Sequence, residues 1–584
     1  MTRFATASLA LFTALALGGC STPEDEATGT TAGSAAPATL VLRGGTVATV
    51  DEDRPTASAI AITGHLITAV GSDAEIGAYI GPETEVIELD GRFAMPGFIE
   101  GHGHYLGLGR SKQILALETA RTWGDIVNQV AAAADRAKPG EWIFGRGWHQ
   151  DKWDAVPEDA VDGNPVNRSL NAVSPDNPVL LGHASGHAAF ANDAALAAAG
   201  ISDATKDPAG GTIVRDADGR ATGLLRETAQ RIVSRAGRAY EDRRSPEEQQ
   251  AIFEEQVRLA GEEALRHGVT SFHDAGASFE TISKLKALED EGALPVRLYV
   301  MVRRETNRTM DELLPSYYMP YDDNDFLTVR SIKRQIDGAL GAHGAWLLEP
   351  YEDLKDTAGL VLELIDEIER TAAIAVKHGF QVNTHAIGDR ANRETLDLYE
   401  RVWKAAAVDG KPLRWRIEHS QHIDPVDVPR FGSLGVIAAI QGVHCTSDGP
   451  WIPSRLGEAR TRRTSYPWRA LIDSGAVLGN GTDVPVEPIN AIASYAASVT
   501  RLMKNGETFY PEQAMSREEA LASYTLNNAY AAFEEDVKGS LTPGKLADIV
   551  VLSENLLEVD PDRLPQTAVE MTFVGGALRY ARTD

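Results

Sequence analysis

The sequence predicts an α/β protein: a (β/α)8, TIM-like barrel with a small composite β-sandwich assembled from both termini and an insertion over the barrel mouth. Three observations predict it. Through the middle of the chain, short apolar strand-like runs alternate with stretches whose apolar residues recur at helical spacing. Both ends are rich in short β-segments instead. Several middle strands run into a histidine, lysine or aspartate, and in a parallel barrel the functional side chains gather at C-terminal strand ends.

In chain order, Met1-Thr2-Arg3 supplies a short positive region, and residues 4–17 form an apolar stretch too short to span a bilayer as a mature helix. It closes on Leu17-Gly18-Gly19-Cys20. Small residues before a cysteine at this place resemble the lipobox of bacterial lipoproteins. That resemblance implies that residues 1–19 are a cleaved signal peptide and that lipid is attached at Cys20. It also implies an exported protein anchored in the bacterial cell envelope, with Ser21 favouring the outer membrane and a body facing the periplasm. A plain secretory signal is the alternative. Residues 20–39, made of Thr, Ala, Gly, Ser, Pro and acidic residues, read as a flexible tether.

Short strands follow at 40–43, 46–50, 59–62, 66–70 and 85–89, and the pattern returns at 544–552, 569–574 and 577–580. Residues 40–95 plus 540–584 therefore read as one composite β domain. Between them, in 96–539, helix-spaced 245–267 precedes strand-like 268–274, and 279–292 precedes 296–300. The unit recurs as 361–378 before 381–385 and as 393–407 before 415–419. About eight such units fit, which favours a closed barrel over an open sheet. Residues 141–228 are too long for one crossover and rich in turn residues, so they read as the insertion.

With 584 residues and 43% hydrophobic content, the chain can bury a large core. Its 84 acidic and 56 basic residues give a net charge of −28, whose field argues against nucleic acid or an anionic membrane surface as the main partner. A small-molecule substrate fits better, and the oligomeric state is open. No apolar run in the body is long enough for a transmembrane helix. The only cysteines are Cys20 and Cys445. With Cys20 lipidated no intramolecular disulfide can form, and any metal site must use His, carboxylate and other oxygen ligands.

The chemistry centres on Ala94-Met95-Pro96-Gly97-Phe98-Ile99-Glu100-Gly101-His102-Gly103-His104. On a strand, alternate side chains share a face, so His102 and His104 stand roughly 7 Å apart and can bind the same divalent cation. Gly101 and Gly103 leave the facing side bare, which suits a crowded strand end. Further strands lead into His385, His419 and Asp483, and their joint occurrence makes a metal constellation.

The order H-x-H, Lys, His, His, Asp within a barrel resembles the amidohydrolase superfamily, with Glu100 where Asp is usual. Ser185-Gly186-His187 with Asn192, Asp337-Gly338-Ala339-Leu340-Gly341 and Thr384 to Arg390 resemble its N-substituted formamide deformylase branch. Arg416-Ile417-Glu418-His419, Gln441 with His444, and Thr482-Asp483-Val484-Pro485 complete that likeness. The resemblance implies His102, His104, His385 and His419 as metal ligands and Asp483 as a general base that also touches a metal. It implies Lys333, carboxylated so that its carbamate bridges two ions, as a further ligand. With Arg334 next in the chain, register decides which of the two faces inward, and an unmodified Lys333 leaves a one-metal site open. Zinc is the favoured cation, with iron, manganese or nickel compatible with the same donors.

The implied reaction is metal-dependent hydrolysis of a C–N bond other than an ordinary peptide bond. The cation lowers the pKa of water and polarises the carbonyl, while Asp483 carries the proton from water to the leaving amine. His187 and His444 are candidates for substrate contact. Trp148, Trp153 and Trp451 stand in loop-like stretches, where a pocket wall and plain packing are both open. An ester or lactone hydrolase would use the same site, and a non-catalytic binding lipoprotein would keep the barrel but lack a ligand or base.

Overall fold

Eight parallel strands pair in chain order: β1 (Phe98–Gly103), β2 (Val269–Ala277), β3 (Arg297–Val302), β4 (Leu327–Gln335), β5 (Gln381–Ala386), β6 (Arg416–His419), β7 (Ile437–Gln441) and β8 (Leu478–Gly481). The computed structural model describes residues 36–583, apart from 151, 152, 158, 162, 185, 187, 209 and 210. Helices cover the outside of this sheet, so its strands are buried on both faces and read as continuous apolar runs. β3, Arg-Leu-Tyr-Val-Met-Val, is buried at every position.

Helix boundaries follow local chemistry. Ser245 caps the helix Pro246–Arg266 and shares a capping box with Glu248, where the spacing predicts a helix over 245–267. The helix expected over 361–378 begins only at Ile365. Ahead of it, the Leu362 N–H donates to Ile336 O at 2.8 Å, so an apolar run that reads as helix is tied to the end of β4 instead.

The ring closes between β1 and β8 through side chains and a few backbone bonds rather than a regular ladder. The Asn528 amide donates to Ile99 O and to Asn480 O, each at 2.8 Å. The Asp483 N–H reaches His102 O at 2.8 Å. Glu100 accepts the Thr482 N–H at 2.6 Å and its hydroxyl at 3.0 Å. The strand end is crowded, as the two glycines suggest. A Cβ on Gly101 would stand 2.4 Å from Asn480 O, and one on Gly103 2.5 Å from Phe272 Cζ. Glycine is needed at both places because other groups press against the strand.

Strands from both ends of the chain share one six-stranded sheet, in which Phe93–Pro96 pairs antiparallel with Ile549–Leu552. A four-stranded sheet packs on it through Leu42, Ile60, Ile62, Ala94, Val551 and Phe573. The Arg297 guanidinium at the start of β3 joins this sandwich to the barrel, donating to both Asp548 oxygens at 2.8 and 3.3 Å. Asp548 also accepts the Gly575 N–H at 2.7 Å.

Between β1 and β2 lies a second six-stranded sheet, running from Leu115–Ala116 to Ala221–Glu227 and so starting ahead of the expected 141–228 range. Alternate residues of its strand Val179–His183 enter opposite cores. Val179 and Leu181 pack towards the helix Trp123–Ala134, and Leu180 towards the helix Gln230–Glu241. Trp148 ends a strand rather than a loop, is buried in the first core and donates to Leu181 O at 2.8 Å. Trp153 stacks on it at 6.1 Å, so both rings serve packing.

Arg297→Ala would strand the Asp548 carboxylate in a buried joint, so the variant should unfold with a loss of about 3–5 kcal/mol in urea titration. Replacing both partners by apolar residues should cost less than the single change.

Candidate metal centre

The C-terminal ends of the strands bring the expected donors to one place. His102 lies within β1, and His104 is the first residue beyond it. Lys333 lies in β4, His385 in β5, His419 ends β6, and Asp483 follows β8. One ligand atom each from His102, His104 and Asp483 lies within 4.8 Å of the others. The Asp483 Oδ1 stands 3.2 Å from His104 Nε2 and 3.6 Å from His102 Nε2. The His419 ring continues the cluster, 4.7 Å from that of His102 and 4.4 Å from that of His385. His444 opens the helix after β7, its ring 6.4 Å from that of His419. His187 and Cys20 lie outside the described residues.

A layer beneath fixes these rings. Glu418 accepts His102 Nδ1–H, which leaves Nε2 facing the cluster as the free donor atom. Arg416 completes the arrangement: its Nε reaches the other Glu418 oxygen at 2.7 Å, and its NH2 donates to Gly101 O at 2.7 Å. His419 Nδ1 is paired with Gln441 Oε1 at 2.8 Å, which again leaves Nε2 for the cluster. Asp337 gathers the chain after β5, accepting N–H groups of Ile387, Gly388 and Trp346 at 3.0, 2.8 and 2.8 Å. Burial pushes its carboxyl up to about 7.

The protonation pattern suits a cation. Burial, then the Lys333 ammonium, pulls the His102 imidazole well below its usual range, and burial does the same to His385 and His419. All three are therefore neutral, the form that ligates. Burial alone would raise the Asp483 carboxyl, but its closeness to His104 and His102 outweighs that and holds it ionised. Lys333 is buried, and burial pulls its amine down to about 7. The register pairs Lys333 with Asn383, and Arg334 turns away to bond Thr371 Oγ1 at 2.8 Å, so Lys333 is the inward residue.

These residues fit a divalent cation. The Nε2 atoms of His102, His385 and His444 are buried without a hydrogen-bond partner, a costly state for polar nitrogen that coordination or substrate binding relieves. Both His419 and Asp483 adopt left-handed backbone, φ 76° and 58°. Such strain costs of order 1–3 kcal/mol for residues with a Cβ and gathers at functional sites. Asn192, part of the sequence likeness, is instead a helix cap, accepting the Ala195 N–H at 3.0 Å and the Val179 N–H at 2.9 Å. Sequence reasoning assigned no role to Glu418, Arg416 or Gln441. The i, i+2 spacing of Arg416 and Glu418 on a strand ending in a ligand is the signal that could have found the first two.

A sequence profile described as the amidohydrolase family matches residues 85–580. Protein LONG AFTER FAR-RED 3 of Arabidopsis thaliana is 33% identical over 93% of this chain and 92% of its own length. N-substituted formamide deformylase of Arthrobacter pascens is 26% identical over 93% of this chain and 98% of its own. The crystal structure of an uncharacterized metal-dependent hydrolase from Pyrococcus horikoshii superposes with TM-score 0.71 at 27% identity, covering 90% of this chain and 99% of that one.

Glu418→Gln should weaken binding of zinc about 10–100-fold in competition with a chelator, since the tautomer and aim of His102 depend on that carboxylate. An unchanged zinc affinity would show that His102 needs no such support.

Proposed function

The chain belongs to the amidohydrolase family, and from that premise we propose that it is a metal-dependent hydrolase cleaving an amide or formamide C–N bond in a small molecule. The observation that carries this reading is the convergence of His102, His104 and Asp483 ligand atoms at the C-terminal face of the barrel. The likeness to an N-substituted formamide deformylase supports the choice of bond. His102, His104, His385, His419 and Asp483 would hold one or two divalent cations, zinc first among them, with Lys333 joining as a carbamate. Such a cation supplies the polarisation of the carbonyl and the acidity of the attacking water.

The chain's own groups do the rest. Ionised Asp483 accepts a proton from water as it attacks the carbonyl carbon and then delivers that proton to the departing amine nitrogen, so it ends as it began. His444 Nε2 is buried without a hydrogen-bond partner, which supports a role in meeting the carbonyl oxygen or another part of the substrate. His187 remains a proposed substrate contact. In the tail, we propose lipid on Cys20 and a place in the cell envelope, which mass spectrometry of the mature N-terminus tests directly.

Metal analysis together with a panel of formamides and amides tests the activity: a metal-free protein that stays inert with added zinc would refute it. Asp483→Asn should lower kcat by about 10²–10⁴-fold while the imidazoles retain metal. The Lys333 amine reacts with carbon dioxide only when neutral, and its pKa near 7 places that form in the range where cells work. Zinc uptake by the metal-free protein in bicarbonate should therefore rise as pH climbs through about 7, and Lys333→Ala should abolish the rise.

A further inference from the structure

Two half-buried arginines stand at the rim of the cluster, and no carboxylate lies within ion-pair distance of either among the described residues. Arg303 follows β3. Its NH2 donates to Gln335 Oε1 at 2.8 Å and its NH1 reaches Ala275 O at 3.5 Å, so the guanidinium spans from the end of β2 to the end of β4. Gln335 is itself fixed, its amide donating to Asp337 O at 3.2 Å. The register sets Gln335 beside His385, and Asp274, next to Ala275, beside Gly103. Arg303 is thus held at the level of the imidazoles. Arg146, from the inserted sheet, donates to Pro485 O at 3.1 Å, two residues beyond Asp483. Beyond ion-pair distance, the carboxylates of Asp483 and Glu118 act on Arg146, and those of Glu363, Asp274 and Asp483 on Arg303.

A desolvated guanidinium bound only to neutral acceptors keeps unused donors in a fork that matches a carboxylate. The chain as a whole carries −28, so its long-range field repels anions and any selection for one must be local. We propose that Arg303, assisted by Arg146, binds a carboxylate group of the substrate, so that the enzyme selects carboxylate-bearing amides over neutral ones. The proposal rests on the hydrolase reading above and names the substrate class of the same site. The guanidinium of Arg303 anchors the carboxylate and so sets which carbonyl meets the metal cluster; it takes no part in proton transfer.

The test compares N-formylleucine with N-formylisoamylamine, which lacks only the carboxylate, on the metal-loaded full chain. The wild type should favour N-formylleucine by about tenfold or more in kcat/KM, mostly through KM. That preference should fall towards parity in Arg303→Gln, and only part of the way in Arg303→Lys, which keeps the charge without the fork. Calorimetric binding of isocaproate, which cannot be hydrolysed, should weaken in parallel. A wild type without the preference, or a preference and isocaproate affinity untouched by both variants, would overturn the proposal, the latter by assigning the carboxylate to the metal ligands. Cleavage of neither formamide would refute the hydrolase reading instead, and the isocaproate titration would then decide this one alone.

Discussion

The buried Glu418 carboxylate ties the structure together. It lies between the His102 imidazole and the Arg416 guanidinium, all three almost fully out of water. A lone carboxylate there would be too costly to keep charged, and a lone guanidinium no less so. Each makes the other tolerable, and the pair then fixes the tautomer of the first histidine of the cluster. Arg416 extends the same network to the backbone of β1 at Gly101 and to His273 Nδ1 of β2 at 3.1 Å. Strands β1, β2 and β6 therefore meet through one ion pair, and the site above inherits its geometry from it.

The rest of the chain divides around that core. Below it, at the starts of the strands, the buried Arg297–Asp548 pair fastens the sandwich, and Lys538 reaches Ser271 Oγ at 3.0 Å while Glu534 accepts the Thr328 hydroxyl at 2.8 Å. Above it, the inserted sheet has its own two cores and touches the site through Arg146. The buried ion pairs that fasten the sandwich gather at one end of the barrel and the candidate metal ligands at the other, a separation that parallel barrels permit because their strand ends are far apart.

Much of this was legible in the sequence. The alternation of apolar runs and helical spacings gave the barrel, and the histidines, lysine and aspartate at strand ends mark its upper face, because both patterns are local and periodic. What escaped depends on contacts between distant strands. Gly101 signals a crowded strand end, but only the fold shows that Asn480 and Asn528 are what press against it. Glu418 reads as part of a motif with no task until β6 is placed across from His102. The start of the helix at Ile365 is missed because 361–364 are apolar but for Glu363, yet Leu362 is bonded to Ile336 just past β4, a tertiary preference that no local propensity records. The inserted sheet is wider than its turn-rich stretch suggests, since Leu115–Ala116 joins it from across a helix.

The closure between β1 and β8 has a consequence for timing. Thr482 and Glu100 meet across 382 positions of chain, and the first and last strands each supply part of the same cluster. A nascent chain that already holds every earlier strand has His102 and His104 but neither Asp483 nor the partner that completes the ring. The group formed by His102, His104 and Asp483 is thus complete only once the final strand is synthesised and seated, so the order of synthesis makes its assembly one of the last events of folding.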